Sequence, residues 1–282
     1  MKKRFGLLSV AVISTALILS GCSTSDSATS EEAASCAKAD LATIESGKLT
    51  IATGEPAYYP WIIDDSPETG NGFEGAVAYA VAKQLGFTND EVVWVRTTFD
   101  SAVTPGAKNF DFNLQQFSIT AERATAVDFS SPYYTAPQAI VSFKGSTIEG
   151  KTSIAELKDA KLGAAVGTTS LDAIQNQIGI KPEVFNDNAA GVAALKNGQI
   201  DGLVVDLPTA FYLSGVEVTD GLIVGQLPSS GSGDQFGLLM SKGSALTSCV
   251  SAAVDAITAD GTLAAITEKW LATDAGAPVL KP

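Results

Sequence analysis

Arg123, Asp206 and the Gly167-Thr168-Thr169 turn are the places in this 282-residue chain where residue type and spacing suit the holding of charge. The guanidinium of Arg123 can grip two carboxylate oxygens at once, which a lysine ammonium cannot do. Its setting is odd for a merely solvated cation. Thr120 is placed to cap a short helix in Ala121-Glu122-Arg123-Ala124, and a positive charge in a first helical turn opposes the helix dipole. The plainer alternative is a surface pair with Glu122 or Asp128. Gly167-Thr168-Thr169 joins a strand to a helix, and backbone N–H groups at such a start favour an anion, which makes the Thr169 N–H a second donor. Asp206 stands at a strand end just before Pro208, where it caps a helix, takes a cation, or does both. Ser118 offers a hydroxyl, and Tyr58, Trp61 and Phe99 either wall a small molecule by stacking or serve as core and rim aromatics.

What is missing narrows the chemistry. Histidine is absent, which removes Ser-His-Asp and Cys-His catalysis and most zinc sites; no metal and no cofactor is expected. The 31 acidic and 18 basic residues leave a net charge of −13. That balance argues against nucleic acid, whose binding rests on Lys and Arg neutralising phosphates, and against broad contact with an anionic membrane.

The elements that must position these residues alternate along the chain. Lys48–Thr53 reads as a strand stopped by Gly54 and Pro56, and Glu74–Leu85 has helical apolar spacing closed by Gly86. Strands at Glu91–Arg96 and Asp111–Gln116 follow, and then an extended segment, Pro132–Ser142. A second alternation has helices at Ile154–Leu157, Ser170–Ile178 and Ala189–Asn197, with strands at Lys161–Val166, Glu183–Phe185 and Ile200–Val205. Phe236–Met240 reads as a last strand, before helices at Ala245–Ala259 and Gly261–Leu271. Short strands alternating with helices predict an α/β fold with a largely parallel sheet, and the length suits two units better than one.

The start of the chain speaks to location. Met1-Lys2-Lys3-Arg4 is basic, and the apolar run Phe5–Leu19 is short for a membrane span. It ends in Leu19-Ser20-Gly21-Cys22, which resembles the bacterial lipobox. The resemblance implies removal of residues 1–21 and a lipid on Cys22; a plain secretory signal is the other reading. Ser23–Ala34 lacks large apolar residues, and 22–40 reads as a flexible tether with order beginning near Leu41. In an exported protein the remaining cysteines, Cys36 and Cys249, either pair as a structural staple or stay as buried thiols.

Successive motifs then form one pattern: Gly72-Phe73-Glu74-Gly75, Phe99-Asp100, Ser118-Ile119-Thr120-Ala121-Glu122-Arg123, Val127 to Tyr134, Val166-Gly167-Thr168-Thr169, and Ile200 to Asp206. In this order, over essentially the whole chain after the tether, they resemble the solute-binding proteins of polar amino-acid ABC transporters (family 3). The resemblance implies a type II periplasmic-binding-protein fold, two α/β lobes joined by two hinge strands. These are expected near Ala136–Val141 and Gly225–Leu227, giving lobe 1 as 41–137 plus 227–282 and lobe 2 as 138–226.

It also implies a polar or cationic amino acid, or a derivative of one, bound between closing lobes. Arg123, Thr169 and Ser118 would meet its carboxylate, Asp206 its ammonium, and Glu55 the tip of its side chain, with Tyr58, Trp61 and Phe99 as walls. Gln116, counted among the contacts, and Gln115 stand where small residues are expected, which makes the pocket smaller or re-aims it. The implied partners are the ligand and permease subunits; the protein is expected to be an extracytoplasmic monomer, lipid-anchored on the outer face of the cytoplasmic membrane or in the periplasm, touching the bilayer only through its lipid, and not an enzyme. A dehydratase-type enzyme on the same scaffold and a ligand-sensing ectodomain are the other readings.

Overall fold

The computed structural model describes residues 35–228, 234–271 and 277–282. The predicted export signal, Cys22 and the tether to residue 34 lie outside the described residues.

The chain runs β1 (Leu49–Gly54), α1 (Phe73–Gln84), β2 (Val92–Thr97), α2 (Phe99–Val103), β3 (Phe112–Asn113) and β4 (Val127–Ala136), and one residue later enters β5 (Gln138–Phe143). Then come β6 (Leu162–Ala165), α3 (Thr169–Ala173), β7 (Glu183–Phe185), α4 (Asn188–Lys196), β8 (Gly202–Asp206), α5 (Leu207–Tyr212) and β9 (Gly221–Gln226). It closes with β10 (Asp234–Ser241), α6 (Thr247–Ala259) and α7 (Thr262–Leu271).

These strands make two five-stranded sheets, ordered β2-β1-β3-β10-β4 and β7-β6-β8-β5-β9. The expected two-lobed α/β architecture is what forms. Each sheet has a parallel half, β2-β1-β3 or β7-β6-β8, and an antiparallel half in which β10 or β5 runs against its neighbours. The antiparallel strands are those that enter from the other lobe, so no crossover helix turns them round. Helices cover both faces of each sheet, which is why the central strands are buried throughout rather than on alternate residues: all six residues of β1, Thr50 and Thr53 included, and all four of β6 are buried. In α1 the buried positions Phe73, Val77, Ala78, Val81 and Ala82 recur at helical spacing and pack on this sheet with α6 and α7. Gly72 opens α1 at φ +99°, and a Cβ there would lie 2.4 Å from the Trp61 carbonyl oxygen, so only glycine fits.

Several expectations shift. Order begins before Leu41: Lys38–Asp40 is a 3-10 turn, and Cys36 forms a disulfide with Cys249 of α6, Cα atoms 5.4 Å apart. The strand expected over Asp111–Gln116 keeps only two residues, because the chain must turn at Gln116 (φ +51°). α2 is an unexpected element, while α5 and β9 are expected only in outline, as the helix Asp206 would cap and the hinge strand near Gly225–Leu227; α2 and α5 are five and six residues long, too short to show a helical period. The chain end also departs from the lobe 1 assignment. Val279 bridges to Gln226 and Lys281 to Ser153, and Leu280 and Leu227 lie in the core of the second sheet.

Candidate functional site

The ends of β1 and β3 in one lobe and of β6 and β8 in the other converge on a cavity of about 330 Å³. Ligands of open α/β sheets gather at the carboxyl ends of parallel strands, where loops and helix starts present side chains and free N–H groups. All nine residues singled out from the sequence line this cavity: Glu55, Tyr58, Trp61, Phe99, Gln116, Ser118, Arg123, Thr169 and Asp206.

Arg123 begins a single 3-10 turn, Arg123–Thr125, and Thr120 Oγ1 accepts its N–H at 3.1 Å, so the expected cap is present although the helix is only one turn. Its guanidinium donates to the Ser118 carbonyl at 2.9 Å and to the Gly167 carbonyl of the opposite lobe at 2.7 Å. Gly167 reaches this position at φ +71°. The Arg123 head lies 5.1 Å from the centre of the Phe99 ring, which itself packs on Phe117. Surface pairing is not what the structure contains: Asp128 pairs with Lys242 at 2.9 Å, and among the described residues Arg123 makes no ion pair. Burial draws the Arg123 pKa below its usual value, opposed by the charges of Asp206, Asp172 and Asp234.

Asp206 occupies the N-cap position of α5, yet its side chain makes no capping bond. It accepts the amide of Gln138 instead, at 2.7 Å, and the same nitrogen donates to Asp234 at 2.8 Å. Gln138 begins β5 and Asp234 begins β10, the strands beside the two passages between lobes. Ser170 Oγ donates to the side-chain oxygen of Gln138, Oε1, at 2.6 Å. Burial foremost, then the neighbouring Asp234, pushes the Asp206 pKa up to about 7 against the opposing effects of Gln138 and Arg123. Thr169 opens α3; its hydroxyl lies 3.2 Å from that of Ser118 across the cleft, while Thr168 caps the helix by accepting the Leu171 N–H.

The other candidates divide by their surroundings. Trp61 is 1% exposed among Phe73, Tyr134 and Phe236, and its indole N–H donates to Thr209 Oγ1 of α5 at 2.9 Å. It is a core ring at the cleft floor that also ties the lobes. Phe99 and Tyr58 are half-buried walls, and Glu55 is exposed at the rim. Gln116 turns away from the role expected of it: its backbone N–H (2.8 Å) and its side-chain amide both donate to the fully buried Glu74, which also accepts the Tyr133 hydroxyl. These donors hold Gln116 in the left-handed region, a conformation that costs a non-glycine residue about 1 kcal/mol. Burial raises the Glu74 pKa to about 7.

Sequence reading missed Gln138, Asp234 and Glu74 as members of the site. A glutamine in the otherwise apolar run Ala136–Val141 was the available signal for Gln138, and the Gly-Phe-Glu-Gly motif already contained Glu74. The site is rich in carboxylates and amides around one guanidinium, a set suited to holding a small dipolar molecule.

The model of the bacterial extracellular solute-binding proteins, family 3, matches residues 49–273. The chain belongs to that family. This family 3 protein is 31% identical over 235 residues to the L-cystine-binding protein TcyJ of Escherichia coli, covering 82% of this chain and 85% of that one. It is 28% identical over 275 residues to the arginine-binding extracellular protein ArtP of Bacillus subtilis, covering 96% and 98% of the two chains. A solved structure of an ancestral arginine-binding protein bound to glutamine superposes with a TM-score of 0.67 at 31% identity, over 80% of this family 3 chain and 99% of the ancestral one.

Proposed function

We propose that the protein captures a polar or cationic amino acid outside the cytoplasm and passes it unchanged to the permease of an ABC importer. The observation that carries this reading is the convergence of Arg123, Thr169 and Asp206 on one cavity between the lobes. An amino-acid head needs donors for its carboxylate and an anion for its ammonium, and an unpaired charge in a partly dry cleft is costly. Arg123 and Thr169 supply the first, Asp206 the second. The relatives named for cystine and arginine support an amino acid as the cargo.

In this mechanism the open form binds through one lobe, and contacts from the other stabilise the closed form. The Arg123 to Gly167 and Trp61 to Thr209 bonds, which already join the lobes, are the latch. Residues near 137 and 227 act as the hinge, Glu55 at the rim faces the ligand side chain, and the protein works as a monomer held by a lipid on Cys22.

Thermal shift and calorimetry of the protein from Ser23 onward, against a panel of amino acids, test the reading. A concentration-dependent rise in melting temperature with at least one amino acid is expected. Arg123→Ala should weaken that ligand by at least about 3 kcal/mol. No response from a folded, ligand-free preparation, or full affinity in Arg123→Ala, refutes it.

A further inference from the structure

A second cavity, of about 230 Å³, adjoins the cleft and shares Tyr58 and Asn188 with it. It lies where α4 and α5 face each other, its walls carrying the apolar side chains of Val192, Ala193 and Leu213. At its edge Lys196 Nζ lies 3.2 Å from Glu217 Oε2, and the Tyr212 hydroxyl donates to Glu217 Oε1 at 2.8 Å. Where the two cavities meet, the buried Tyr58 hydroxyl has no side-chain hydrogen-bond partner, and only the Ala189 backbone lies beside it. A buried hydroxyl left unpartnered is costly and calls for a group to satisfy it.

We propose that the ligand is a long amino acid with a dipolar head at each end, one head at Arg123 and Asp206 and the other reaching Lys196 and Glu217 through this annex. The proposal rests on the amino-acid reading given above and names the ligand class within it. The apolar walls suit a stem of methylene, thioether or disulfide atoms. The annex offers a cation and an anion side by side. A purely cationic tip meets the like charge of Lys196, and a purely anionic tip that of Glu217, whereas an ammonium and a carboxylate on one carbon answer both. The Tyr58 hydroxyl can bond a polar atom of the stem as it passes from the cleft to the annex. The annex lies beyond the main cavity, so a ligand long enough to enter it gains contacts that a short one lacks.

Calorimetry on the disulfide-bonded protein, with L-cystine as the long probe and L-glutamine as the short one, tests this. L-cystine is expected to bind at least about tenfold more tightly than L-glutamine, since contacts made by one ligand and not the other set the ratio. Ala193→Phe, which fills the annex from an exposed position on α4, should weaken L-cystine at least about tenfold and leave L-glutamine within about twofold. Lys196→Met should weaken L-cystine alone and serves as the second variant if the first does not fold. Glutamine binding as tight as or tighter than cystine binding, or equal losses for the two probes in both variants, overturns the annex assignment and leaves the amino-acid reading standing. Failure of every amino acid to bind overturns both.

Discussion

The ionisation of Asp206 should make ligand affinity fall steeply below neutral pH. Its carboxyl is held at about 7 by burial and by Asp234, with Glu74 adding to the rise and Gln138 and Arg123 opposing it. A ligand ammonium binds the carboxylate and not the acid, so below that value each bound ligand must first displace a proton from Asp206. The linked cost is about 1.4 kcal/mol per pH unit. At pH 7.5 about three quarters of the sites are ionised and at pH 5.5 about 3%, so the apparent affinity drops roughly 25-fold over that interval. Calorimetry from pH 5.5 to 8 measures it, using an amino acid whose side chain does not titrate there. Asp206→Asn should flatten the profile and weaken amino acids far more than analogues lacking the ammonium. Glu74→Gln separates the contribution of the other carboxyl whose pKa is raised. A flat wild-type profile, or an unchanged slope in Asp206→Asn, refutes the assignment.

Stability should also depend on pH, in the opposite sense. Glu74 has a folded pKa of about 7 against an ordinary 4.5, so the folded state binds the extra proton. Its contribution is fully present below pH 4.5 and is lost as pH rises through 7, an effect of order 3 kcal/mol that denaturant melts of wild type and Glu74→Gln would resolve. Gln138→Ala strips bonds from Asp206, Asp234 and Ser170 together and should cost about 2–4 kcal/mol in the same melts. Reducing the Cys36–Cys249 disulfide, which closes a 213-residue separation, should lower stability by a few kcal/mol; an unchanged melting temperature under reductant would contradict that.

The fold was legible because its signals are local. The strand-forming run of β1, the spacing of Val77, Val81 and Leu85, and the motif order each bear on a few adjacent residues. The site was legible in part for the same reason: Arg123 and Asp206 stand in motifs. Their partners were hidden because Gln138 and Asp234 come from strands 96 residues apart in sequence that meet only once both lobes form. Gln116 shows the converse. Its letter suggested a ligand contact, but its amide is taken up by Glu74, 42 residues earlier. Trp61 read equally well as wall or core; the three aromatic rings packed round it decide for the core.

The return of the chain end to the second lobe bears on how that lobe is built. The chain passes from the first sheet to the second between β4 and β5 and back between β9 and β10. The pairing of Val279 with Gln226 and of Lys281 with Ser153 adds a third link, from α7 on the first body to the second. The end of the chain is therefore fastened to the second sheet, which takes Leu280 into its core and so draws on residues from both ends of the fold's second half.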